Sequence, residues 1–235
     1  MRPAPPPIPL YPKPRRGTTW VTVIILALIV VVFVFGLSRW LQRQADNSGF
    51  TEDTSPRQVL IGSETLTIPA NLMRFEEQRR ALTLNEVDMV ILWPLAEGYS
   101  TSRSAEFLAT DGDHDLIFFS IGKRRMRHDM SARLPLIYRQ LMTEPGRKGP
   151  AGLALQPLAR GAGFDGEHLA IGQSASMVWV ARCQNASTPT TPTCLRDVNI
   201  GRNLSLRYRF PLSMLAQWRD LEAKMNTLAQ TMLDR

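Results

Sequence analysis

Residues 204–210 read Leu-Ser-Leu-Arg-Tyr-Arg-Phe, and they decide the fold. Leu204, Leu206, Tyr208 and Phe210 fall on one side of an extended chain, with Ser205, Arg207 and Arg209 on the other. Such a strand needs one covered face and one wet face, the signature of an antiparallel sheet. The chain after it changes period. Met214, Trp218, Leu221, Met225, Leu228 and Met232 step by four and three residues, which predicts an amphipathic helix over 212–233 with one apolar stripe. A strand followed directly by such a helix predicts that the helix lies on the sheet, with packing against another subunit as the alternative.

Working backwards, the stretch 196–200 pairs with this strand across Gly201-Arg202-Asn203. Residues 177–182 and 153–158 read as further short strands, and Leu116–Ile121 is apolar on both sides, as a central strand is. Val87–Trp93 alternates and is ended by Pro94. Residues 59–61 and 65–68 flank Gly62-Ser63 as a hairpin or as two short edge strands. Leu134, Ile137, Tyr138, Leu141 and Met142 predict a helix that stops before Pro145-Gly146, with Pro135 tolerated in its first turn. The expected class is α+β: a mostly antiparallel sheet with two helices covering one face.

The N-terminal region is of another kind. The 22 residues between Arg16 and Arg39 carry no charge, and Trp20 and Trp40 bracket them. As a helix they would span roughly 33 Å, against a hydrocarbon core of about 30 Å. This predicts a transmembrane helix over 18–38 and a lipid bilayer as partner. The tail over 1–17 holds Arg2, Lys13, Arg15 and Arg16 with no acid, and proline at positions 3, 5, 6, 7, 9, 12 and 14. Its charge favours the cytoplasm by the positive-inside rule, which puts the C-terminal body in the periplasm of a bacterium with an inner membrane. Its prolines favour an extended form, a spacer or a ligand for aromatic grooves. Residues 39–57 read as a polar linker, and 58–235 as the folded domain.

Cys183 and Cys194 bracket a polar loop containing Pro189 and Pro192. An oxidising compartment permits their disulfide, which is the expected pairing. No Rossmann or phosphate-loop glycine pattern occurs, nor an H-E-x-x-H or G-x-S-x-G motif. Asp111, Asp113 and Asp115 alternate around His114, but the EF-hand pattern fails because position 122 is glycine. The other histidines, His128 and His168, are dispersed. No catalytic, cofactor-binding or metal-binding residues are expected and no cofactor is. Outside the tail the charge is mildly basic, so nucleic acid is not an expected partner.

The stretches Ile68–Arg79, Val87–Ser100 and Leu204–Phe210, behind one hydrophobic run, resemble uncharacterised bacterial membrane-anchored proteins. The resemblance covers most of the body and implies an inner-membrane location, without activity or site residues. The function expected is a tethered interaction or structural domain that meets a protein partner or a second copy of the chain. Two alternatives stay open: a tethered periplasmic hydrolase, and an accessory subunit of a transport or envelope complex.

Overall fold

The computed structural model describes residues 23–37, 49–109, 115–143, 145–159, 161, 163–173, 177–185 and 191–233. The chain divides into two compact units, up to Asn47 and from Ser48 onward. In the first, residues 23–37 form helix α1, whose side chains are all exposed. Among the described residues no helix is long and apolar enough to cross a membrane. Of the expected span over 18–38, residues 23–37 are described, and they are helical. The tail over 1–17, residues 18–22 and residues 38–48 lie outside the described residues.

The second unit is mixed α+β. Strands β1 (Pro56–Ile61) and β2 (Glu64–Pro69) make the expected antiparallel hairpin, and the two-residue β3 (Thr83–Leu84) adds in parallel beside β1. Helix α2 (Glu76–Arg80) lies between β2 and β3 in the chain. The body starts earlier than the expected linker boundary at 57. β1 begins at Pro56, and Phe50 stacks on Tyr99 with ring centroids 5.2 Å apart.

Eight strands form the main sheet. They are β4 (Glu86–Leu92), β5 (Leu116–Lys123), β6 (Arg147–Lys148), β7 (Ala154–Pro157), β8 (Glu167–Gln173), β9 (Val178–Gln184), β10 (Thr193–Ile200) and β11 (Leu204–Pro211). Their order is β4-β5-β11-β10-β9-β8-β7-β6, and every neighbouring pair is antiparallel. Strand β8 was not among the expected strands.

Antiparallel register places opposed residues on one side of a sheet. The row Met89, Phe119, Tyr208, Arg196 therefore shares a face, as do Val87, Ile121, Leu206 and Val198. This first face is covered by the β1–β2 hairpin, through Val59, Ile61, Leu66 and Ile68, and by helix α5 (Trp218–Leu233). A 3-10 stretch, Leu212–Gln217, leads into α5 and buries Met214 and Leu215. The helix is rich in good helix formers and has Asp220 in its first turn, where an acid suits the helix dipole. It buries Trp218, Leu221, Glu222, Met225, Ala229 and Met232. Trp218 reaches the sheet because β8 has Gly172 below it. A Cβ there would come within 2.9 Å of both Trp218 Cζ2 and Leu153 Cδ2.

The two helices do not cover one face, as the sequence predicted. The second, a π-helical turn Leu134–Tyr138 running into helix α4 (Arg139–Leu141), packs on the reverse of the sheet with Met130, Leu158, Leu169 and Val180. The reason lies in β9, which buries Trp179, Val180 and Ala181 in succession. A strand apolar on both sides needs cover on both sides. Helix α3 (Ser104–Leu108) supplies Phe107 to a separate cluster on that reverse face, with Val90, Leu92, Tyr99, Leu116 and Phe50.

Candidate interaction face

The reverse face has apolar caps at two places and an open strip between them. One cap is the aromatic trio Phe50, Tyr99 and Phe107, whose centroids lie 5.2–5.7 Å apart, over the end of β4 and β5. The other is the 130–142 segment over β8 and β9. Between them the register aligns Val90, Phe118, Arg209 and Leu195 as one row, and Asp88, Ser120, Arg207 and Asp197 as the next. The strip is concave. A hollow of about 350 Å³ is lined by Arg74, Asp88, Phe118, Ser120, Arg207 and Arg209, among others. A second, of about 370 Å³, shares Arg207 and Leu195 with it and continues to Lys123, Arg125 and His128.

Charge along the strip is unevenly satisfied. Glu86 lies 3.6 Å from Arg125 and 3.7 Å from Arg207. Asp88 accepts from Gln78 Nε2 at 2.9 Å. Asp197 binds Arg133 and also accepts from the Met130 backbone N–H at 2.6 Å. The acids are thus engaged, while several cations are not. Arg209 and Lys123 are exposed, without a polar side-chain partner among the described residues. Arg74 stacks its guanidinium 5.1 Å from the centroids of both Phe75 and Phe118, and Phe118 remains 38% exposed. Stacking occupies the flat faces of a guanidinium and leaves its N–H edge available.

The opposite face holds a polar cluster that the sequence reading missed. Arg196, 2% exposed, donates from Nε to Glu222 Oε2 at 2.6 Å and from Nη2 to Oε1 at 2.7 Å. Tyr208 Oη and Trp179 Nε1 donate to the same Oε2, and Asn226 Nδ2 to Oε1. Burial pushes the Glu222 carboxyl up. The hydrogen bonds and charge of Arg196, with those of Tyr208 and Asn226, outweigh it and hold the group below its ordinary value. Among the described residues, strands β9 and β10 pair at Cys183–Cys194 and Arg182–Leu195 and then separate. Arg196 fills the gap, donating from Nη1 to Val180 O and to Ser131 Oγ, both at 2.9 Å. The cluster is closed and fully bonded, so it reads as a structural lock. Its signal in the sequence was position: Glu222 lies four residues after Trp218 and three before Met225, inside the apolar stripe.

The expected site residues fall as follows. Cys183 and Cys194 are buried, opposed across β9 and β10, and joined as a disulfide. Asp111, Asp113 and His114 lie outside the described residues, and Asp115 is exposed just before β5. His128 lines the second hollow of the reverse face. His168 is buried on the α5 face, with Nδ1 2.9 Å from Asn185 Oδ1. The two described histidines are therefore on opposite sides of the sheet. Burial holds His168 below its ordinary value; the Asn185 hydrogen bond opposes this shift and the charge of Arg147 adds to it. Among the described residues, no group of three or more His, Cys, Asp or Glu is placed to hold a metal ion.

No protein-family model matches the chain, and no curated protein matches it. Two solved structures resemble it. One is an immunity protein of the Stenotrophomonas maltophilia type IV secretion system, with a TM-score of 0.53 and 15% identity, covering 76% of this chain and 93% of that one. The other is the iron-regulated outer membrane lipoprotein FrpD of Neisseria meningitidis, with a TM-score of 0.49 and 12% identity, covering 80% and 96%. At these identities the first likeness is one of fold.

Proposed function

We propose that the chain is a membrane-tethered, extracytoplasmic binding domain without catalytic activity, and that it meets a protein partner through the strip between the two caps. The observation that carries this reading is the strip itself: a concave, solvent-facing span of β5, β11 and β10 with an exposed aromatic ring and unengaged arginines. Phe and Arg suit the centre of a protein interface better than its surroundings. A fold shared with an immunity protein of a secretion system fits partner binding in the cell envelope. The uncharged run over 18–38 and the basic tail support the tether and its orientation, with the N-terminus cytoplasmic and the body periplasmic. The disulfide suits that compartment. A hydrolase has less to rest on, because His128 and His168 lie on opposite faces of the sheet.

Two experiments test it in cells. A reporter active only outside the cytoplasm, fused after Arg235, should work, and one active only inside should fail; the reverse pattern refutes the orientation. A photo-crosslinking residue at position 118 should capture a discrete protein that the same residue at position 224, on the outer side of α5, does not. Capture from neither position, or equally from both, removes the strip as the binding face.

A further inference from the structure

We infer that the strip takes an acidic segment of its partner, one that sets carboxylates against Arg209 and Arg74 on either side of an apolar side chain resting on Phe118. This rests on the reading above and adds the chemistry of the occupant. The strip and such a segment are complementary in charge. The acids of the strip are already bonded: Glu86, Asp88 and Asp197 to Arg125, Arg207, Gln78 and Arg133, and Asp129, in the second hollow, to the Ala132 backbone N–H at 2.9 Å. What stays unspent is donor capacity: the Arg209 guanidinium, the Lys123 ammonium and the N–H edge of Arg74. A guanidinium fork matches a carboxylate in two parallel hydrogen bonds. Arg209 and Phe118 are directly opposed across β11 and β5, and Arg74 lies over the same ring. Cation, ring and cation thus occur in sequence across the strip. A bare anion would leave the ring wet, and an apolar segment would strand the guanidinium edges, so a mixed acidic and apolar segment fits best. At the floor, Leu195 extends the apolar patch beyond Arg209.

The test uses the full chain in a mild detergent and a fluorescent nine-residue peptide of Asp and Glu around a central Phe. Binding is read by anisotropy. It should weaken as salt is raised, and a peptide with Lys in place of the acids should not bind. Arg209→Glu and Arg74→Glu should each weaken binding roughly tenfold. Phe118→Ser should weaken it while leaving the salt dependence intact, and Lys224→Glu should change nothing. All four positions are exposed, and an unchanged thermal transition in each variant shows that the fold persists. Equal binding of the basic peptide, or undiminished binding by Arg209→Glu and Arg74→Glu, overturns the inference. Displacement of the peptide by glycerophosphoglycerol, an anionic lipid headgroup without its chains, also overturns it and assigns the strip to membrane headgroups. Crosslinking from position 118 separates the two levels. If the partner is still captured when Arg209 and Arg74 are reversed, the acidic segment is wrong and the binding face stands. If no partner is captured at all, the binding face itself falls.

Discussion

Arg196 and Glu222 form a two-point ion pair inside the apolar core, with one partner on a strand and the other on the helix that covers it. The hydrogen bonds that Glu222 accepts from Arg196, Tyr208 and Trp179 each join a strand to the helix, and the one from Asn226 lies within the helix. Such a pair constrains how α5 lies on the sheet, because a shift of one turn would bury two charges without partners.

Breaking this pair from one side should therefore be costly. Arg196→Leu leaves Glu222 buried with its main cation gone, and leaves Val180 O without its donor. The expected loss is about 3–5 kcal/mol in urea unfolding. Arg196→Leu combined with Glu222→Leu should recover much of it, because no lone charge remains. A double variant as unstable as the worse single one would show that packing, and not charge, dominates.

Two titrations shape the acid side of the stability profile. Glu222 lies below its ordinary value of 4.5 in the folded chain. Its contribution is full above that value and is lost as pH falls through the lower folded value. His168 lies below its ordinary 6.5, so the unfolded chain takes up its proton first. Stability linked to His168 is full above pH 6.5 and falls as pH drops below it. Unfolding midpoints measured from pH 7.5 to 5 should decline in the parent and decline less steeply in His168→Gln. Equal slopes would mean that His168 does not change its protonation between the two states.

The disulfide makes a third prediction. Cys183 and Cys194 are buried and separated by 11 positions, so their bond closes a short loop. Thiol labelling of denatured protein prepared without reductant should find neither cysteine free, and both free after reduction. Replacing both with alanine should cost about 2–3 kcal/mol. Full labelling without reductant would mean that the bond does not form in the protein's own compartment.

Gly172 tests the seating of α5. A methyl group there would press on the Trp218 ring and on Leu153. Gly172→Ala should destabilise by about 1–3 kcal/mol through overpacking. Adding Leu153→Ala should return part of the loss by opening room beside the new methyl. No recovery would identify the Trp218 ring as the contact that cannot yield.

Much of the sheet was legible because its strands declare themselves locally. Leu204–Phe210 alternates without a break, and 116–121 is apolar but for Ser120. Strand β8 was missed because Glu167-His-Leu-Ala-Ile-Gly-Gln173 follows a glycine-rich stretch and contains Gly172, a residue that weakens strand patterns. The placement of α4 was misread because a helical stripe says that a face is covered, not which face of the sheet receives it. The polar lock was hidden because Glu222 sits in the stripe as a single exception. The open strip could not be read at all: Arg74, Phe118 and Arg209 are distant in the chain and meet only through the pairing of β5 with β11 and the course of the segment before α2.

The alternation of β5 has one more consequence. Ile117, Phe119 and Ile121 point into the main core, whereas Phe118 and Ser120 belong to the outward rows. Along one short stretch of gene, every second codon answers to folding and the codons between set the surface of the strip. Arg207 and Arg209 interleave in the same way with Leu206, Tyr208 and Phe210. Substitutions at Phe118, Arg207 and Arg209 can thus change the charge and shape of the strip while the core residues between them stay in place.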